Sequence, residues 1–151
     1  MSKQAERAAR IGRIARIGDA VAKASEAFVA QRRSDLDAQQ QRLSVVENYC
    51  RDYARLTEDR EVAAQSVAVW RSYREFSGWL SQMSVAQRHE VAQAQFLLEA
   101  AADEAAQKRN FAKALAKAAG RAETAARKEA DRAEQQALDA LGRSIPPHLA
   151  L

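Results

Sequence analysis

The chain has 151 residues, and although 47% are hydrophobic types, 35 of those are alanine, so the bulky apolar remainder is too small for a compact globular core. Five glycines and two prolines, Pro146 and Pro147, leave sandwiches, barrels and doubly wound folds without the turns they need. The formal net charge is a modest +4, and alanine, glutamine, glutamate, lysine and arginine dominate, which is the composition of long helices.

A first helix is predicted over 3–57. Ile14, Ile17, Val21, Ala24 and Phe28 follow a 3-4-3-4 spacing, and Leu36, Gln39, Leu43, Val46, Cys50 and Tyr53 continue it. Phe28 and Leu36 are eight residues apart, so a four-residue stutter in the seam is expected near Arg32. Thr57 to Glu61 offers no seam residue, which places a short connection at about 58–65. Ser66 is the expected N-cap of a second helix over 66–142. Its apolar series runs Val69, Tyr73, Phe76, Leu80, Met83, Gln87, Val91, Ala94, Leu98 and Ala101, then Phe111, Leu115, Ala118, Ala122 and Ala125. Gly142 is the expected C-cap, and Pro146 and Pro147 close an irregular tail over 143–151.

At about 1.5 Å per residue the helices would be roughly 80 and 115 Å long, and a short connection makes them antiparallel. The expected fold is all-α: one long antiparallel two-helix coiled-coil hairpin with unequal arms over 1–151. A hairpin folded about residue 62 puts residue 3 opposite residue 121, leaving most of 122–142 without a partner from its own chain. Between Ala116 and Ala137 no apolar side chain exceeds alanine, so this arm depends on helix propensity.

Charge is segregated. Residues 1–33 carry eight Lys/Arg against three Asp/Glu, 34–107 carry seven against twelve, and 108–132 carry eight against three. In a hairpin the two basic segments lie side by side, giving one positive end and a mildly acidic tip.

No catalytic constellation emerges, so the chain is not expected to be an enzyme. It has no phosphate-binding glycine loop, and neither His89 nor His148 belongs to a ligand-spaced cluster, so no cofactor and no metal are expected. Cys50, the one cysteine, excludes an internal disulfide and reads as a small seam residue. No apolar run approaches the roughly 20 residues of a membrane span, and a charged start without a hydrophobic leader points to the cytosol.

Two concentrations of side chains remain. Arg7, Arg10, Arg13 and Arg16, interleaved with Ile11, Ile14 and Ile17, read as a solvated amphipathic face, an anionic-membrane or acidic-groove binder, or a nucleic-acid binder. Interspersed glutamates and the modest net charge argue against nucleic acid as a partner. Tyr49, Tyr53, Trp70, Tyr73, Phe76 and Trp79 cluster at the predicted tip, more aromatics than a two-helix interior can hold, and the surplus is expected to anchor an interface.

The spacing Tyr49-x3-Tyr53, then Trp70-x2-Tyr73-x2-Phe76-x3-Leu80, and the late Arg132-x-Glu134-Gln135-x3-Asp139-Ala140, similar to an E-Q-K-x-x-D-E signature, resemble the flagellar type III export proteins called FliJ. The YscO-type stalks of virulence secretion are more distant relatives, and the resemblance covers about 10–143. It implies a stalk similar to the shaft of rotary ATPases, whose open end enters a hexameric export ATPase and whose tip engages a membrane export gate protein. It also implies handling of export chaperones, and a location at the cytoplasmic face of the inner membrane, peripherally associated with the export apparatus. The implied gate patch is Val46, Tyr49, Tyr53, Phe76, Leu80 and Met83. The basic residues expected at the ATPase ring are Arg7, Arg10, Arg13 and Arg16 with Arg121, Arg127 and Lys128. Gln136 and Ala140 stand where the family often has lysine and glutamate, which weighs against contacts through the C-terminal charges. The alternatives are the equivalent stalk of a virulence system, or a basic coiled coil on nucleic acid.

Overall fold

The computed structural model describes residues 2–58 and 66–149. Two long helices account for almost all of them: α1, Lys3–Glu58, and α2, Val67–Ser144. No strand occurs among the described residues, so the all-α expectation holds. Apart from Glu58, the connection expected at 58–65 lies outside the described residues.

Both helix starts are capped by serine. The Ser2 hydroxyl accepts from the Ala5 N–H at 3.1 Å, and the Ser66 hydroxyl accepts from the Val69 N–H at 3.1 Å, each satisfying one orphan donor of a first turn. The far end of α2 differs from expectation. Gly142 does not adopt the left-handed conformation of a C-cap, and the helix runs on to Ser144. Ile145 precedes Pro146, whose ring disfavours helical geometry in the residue before it, and this stops the helix.

The chain divides into two compact units, one of Met1–Ala24 with Ala106–Leu151 and one of Ser25–Ala105. In the Ser25–Ala105 unit the helices run antiparallel: Gln39 meets Gln87, and Tyr53 meets Tyr73. Covered positions recur on α1 at Ser25, Val29, Arg32, Leu36, Gln39, Leu43, Val46, Cys50, Tyr53 and Thr57. On α2 they recur at Trp70, Tyr73, Ser77, Leu80, Ser84, Gln87, Val91, Ala94, Leu98, Ala101 and Ala105. Both sets keep a 3-4 alternation throughout, so the stutter expected near Arg32 is absent. Arg32 itself occupies a seam position, with its guanidinium 4.8 Å from the Phe28 ring centre and 3.8 Å from the Asp35 carboxylate. Its long apolar stem substitutes for a hydrophobe there.

On α2 the seam follows expectation at Tyr73, at Leu80 and from Gln87 to Ala101, and departs from it at three positions. Val69, Phe76 and Met83 lie one residue ahead of the covered positions and remain 38–39% exposed. Leu36 and Leu80 are the large buried side chains of this unit, with Ser84, Ala94, Ala101 and Ala105 as small buried neighbours. Fully covering a leucine contributes about 1.5–3 kcal/mol, so these few positions dominate the hydrophobic gain. A polar layer interrupts them: the Gln87 amide donates to the Gln39 side-chain oxygen at 2.8 Å and to its backbone carbonyl at 3.0 Å.

The other unit uses smaller residues still. Covered positions on its α1 segment are Ala8, Ile11, Ala15, Gly18 and Ala22, and on α2 they include Ala112, Leu115, Ala119, Ala122 and Ala126. A methyl group added at Gly18 would stand 2.7 Å from Leu115 Cδ1 and 3.8 Å from Ala112 Cα, so Leu115 sits in the space that glycine leaves. The bulky residues read as seam in the sequence turn outward instead: Ile14 is 44% exposed, Ile17 64%, Val21 43% and Phe111 62%. An alanine-glycine seam lets two backbones approach closely, which larger residues at the same positions would prevent. The Gly18–Leu115 contact sets the start of α1 beside the stretch around Lys128, a few residues further on than a fold about residue 62 implies. From Arg127 to Leu149 every residue is exposed.

Candidate partner-docking surfaces

In the Ser25–Ala105 unit the aromatic residues assemble as a graded cluster. Tyr53 and Tyr73 hold seam positions and are half-buried, with ring centres 6.1 Å apart. Phe76 lies edge-on to Tyr53 at 4.6 Å, and Trp79 stacks on Phe76 at 5.4 Å with 30° between the planes. Such pairs add about 0.5–1.5 kcal/mol beyond area burial, so the inner rings hold the outer ones in place. A groove of about 390 Å³ opens among Tyr53, Val69, Ser72, Tyr73 and Phe76.

The expected patch residues fall into two groups. Tyr49 (54% exposed), Phe76 and Met83 each stand one residue before a seam position. In an antiparallel pair those positions on the two helices flank the same edge, so the three residues share a solvent-facing side. Val46 and Tyr53 are half-buried, and Leu80 is 5% exposed. Leu80 therefore belongs to the seam and presents no surface. Trp79, half exposed and stacked on Phe76, extends the patch. The signal for it was available in the i, i+3 spacing from Phe76.

The other unit is basic. Its two segments carry fifteen Lys/Arg against seven Asp/Glu. Arg7, Arg10, Arg13 and Arg16 are all exposed, and none has an ion-pair partner among the described residues. On α2, Lys117, Arg121 and Lys128 line one shallow surface with Gly120, Thr124 and Ala125. Arg127 differs from the rest, because it pairs with Glu123 at 2.7 Å one turn away. Its charge is locally compensated, while Arg7, Arg10, Arg13, Arg16, Arg121 and Lys128 are available to an anionic partner.

No group of three or more His, Cys, Asp or Glu side chains that could hold a metal occurs among the described residues, and no described helix is long and apolar enough to cross a membrane. What the fold defines is an all-α, coiled-coil-like protein of two long helices. The match to a family model makes this specific: residues 18–144 fit the model described as flagellar FliJ protein, and the chain belongs to that family. Its role is accordingly an export-related one in flagellar assembly. No curated protein and no solved structure matches the chain.

Proposed function

We propose that the chain is the non-catalytic stalk of a flagellar type III export apparatus, linking the export ATPase hexamer to the membrane export gate protein and receiving export chaperones. The observation that carries this reading is the family match over residues 18–144. Two features support it. The basic unit offers unpaired arginines to an acidic or polar ring, where such charges raise the association rate and make it salt-sensitive. The aromatic cluster offers Tyr49, Phe76, Trp79 and Met83 as anchors for the gate, with Tyr53, Val46 and Leu80 holding them from beneath. Arg121 and Lys128 join Arg7, Arg10, Arg13 and Arg16 at the ring, and Arg127 contributes less because Glu123 already engages it. On this reading the protein works at the cytoplasmic face of the inner membrane, held there by its partners, and needs neither cofactor nor nucleic acid.

The test measures both contacts on one set of variants. With the cognate ATPase, Arg10→Glu combined with Arg13→Glu is expected to reduce stimulation of hydrolysis most at low ionic strength. With the cytoplasmic domain of the gate, Phe76→Ala is expected to weaken binding at least about tenfold, the range for a central aromatic anchor, and to leave ATPase stimulation unchanged. Loss of both activities together, with an earlier melting transition, would show Phe76 to be structural and sink the gate assignment.

A further inference from the structure

We propose that two copies of this chain associate reciprocally, the exposed arm after Ala126 of each lying along the N-terminal part of α1 of the other. The proposal starts from two stripes that the fold leaves uncovered. On α1, Arg7, Arg10, Ile14, Ile17 and Val21 recur at 3-4 spacing, all exposed and one position ahead of the covered seam. On the arm, Asp131, Glu134, Leu138 and Leu141 recur at the same spacing, on the side of α2 away from its seam, and Ile145 follows just past the helix end. Leu138, Leu141 and Ile145 are 56%, 64% and 55% exposed.

Laid parallel, the stripes match residue for residue. Asp131 meets Arg7, Glu134 meets Arg10, Leu138 meets Ile14 and Leu141 meets Ile17, with the same difference in numbering each time. Two carboxylates meet two arginines, and two apolar residues meet two apolar residues. A slip of one turn sets Glu134 against Ile14 or Leu138 against Arg10, so the pattern specifies its own register. Neither the two arginines nor the two carboxylates have an ion-pair partner among the described residues.

The arm cannot make this contact within its own chain. α2 is continuous to Ser144, while α1 begins at Lys3, beside the stretch around Lys128. The arm therefore runs away from its own Ile14 and Val21. Leu138 and Leu141 lie roughly 15–20 Å beyond the start of α1, and Ile14 and Ile17 lie roughly 16–21 Å behind it, at 1.5 Å per residue. A two-fold axis at that level superposes the two distances, brings each arm over the other copy's stripe, and makes the contact twice. The dimer covers Arg7 and Arg10, so it excludes any partner that needs those arginines and holds the basic face closed until one competes for it. The proposal stands independently of the export reading, because the association is measured on the chain alone.

The test is sedimentation equilibrium of the purified chain over roughly 1–200 μM, the range in which small interfaces dissociate. The wild type is expected to form dimers, and Ile17→Glu and Leu141→Glu are each expected to raise the dissociation constant at least about tenfold. Both sites are exposed, so helicity by circular dichroism should not change. Arg10→Glu and Glu134→Arg should each weaken the dimer, and the double variant Arg10→Glu/Glu134→Arg should recover it, since only direct pairing restores association on exchange. A wild type that stays monomeric throughout, or a double variant no better than the singles, overturns the proposal. Co-sedimentation with phosphatidylglycerol-containing vesicles supplies the competing outcome. If Ile17→Glu abolishes vesicle binding and leaves the dimer unchanged, the stripe serves a lipid surface and the second copy is ruled out.

Discussion

Gly18 is where the packing of the basic unit can be tested most sharply, because two opposing magnitudes meet there. Replacing a helical glycine by alanine gains about 1 kcal/mol from backbone entropy alone. At Gly120 a new methyl group would have nothing within 4 Å, so Gly120→Ala should realise nearly all of that gain. At Gly18 the same methyl would stand 2.7 Å from Leu115 Cδ1, closer than carbon atoms tolerate. The obstacle is the far end of a half-buried side chain, which can rotate at a cost of about 0.5–1.5 kcal/mol. Gly18→Ala is therefore expected to leave stability within about 0.5 kcal/mol of wild type. Gly18→Leu cannot be accommodated by rotation and should destabilise by about 1–3 kcal/mol. Combining it with Leu115→Ala, which exchanges the large and small partners, should recover most of the loss. Urea unfolding followed by circular dichroism reads all four changes. If Gly18→Ala stabilises as much as Gly120→Ala, and Gly18→Leu is no worse than Gly120→Leu, the close approach at Gly18 does not exist.

Other outcomes follow from burial. Leu80→Ala should cost about 2–3 kcal/mol in the same assay, whereas Trp79→Ala, half exposed, should cost under about 1 kcal/mol. Arg88→Ala removes a 3.3 Å pair with Glu47 whose side chains are 63% and 35% exposed, so the change should stay below about 0.5 kcal/mol and vanish at high salt. Limited trypsin digestion read by mass spectrometry should cut first at Arg127, Lys128, Arg132 and Arg143 in the exposed arm, well before Arg42 or Arg88. Early cleavage at the latter pair would contradict the seam assigned to that unit.

The helices themselves were legible because their signals are local. Ser66 announces a start by the hydrogen bond its hydroxyl accepts, and a proline-free stretch of helix formers does the rest. The seam was legible from Leu36 to Tyr53 on α1 and from Gln87 to Ala101 on α2, but its phase was not legible at the start of α1, and the reason is specific. Ile14, Ile17, Val21 and Phe28 form a better apolar series than Ala15, Gly18, Ala22 and Val29, and reading for bulk selects the first. The fold selects the second, since small residues let the backbones close while Leu115 fills the space over Gly18. The same one-residue displacement explains why Phe76 and Met83, read as both seam and patch, end on the surface, and why Leu80 does not. Gly142 misled for a different reason: a glycine permits a left-handed cap but does not demand one, and the proline pair beyond it decides where the helix stops.

The glutamine layer has a mechanical consequence. A seam that repeats at a regular 3-4 spacing offers two helices a second fit one heptad away, about 10 Å along, where apolar side chains again face apolar side chains. Gln39 and Gln87 remove that freedom, since any slide strands a part-buried amide without its partners, at about 1–3 kcal/mol for each group left unsatisfied. The pair acts as a pin against shear. A push along one helix of that unit is then carried by both as a single strut, so a displacement applied at one end of the unit is delivered at the other without being lost to slippage.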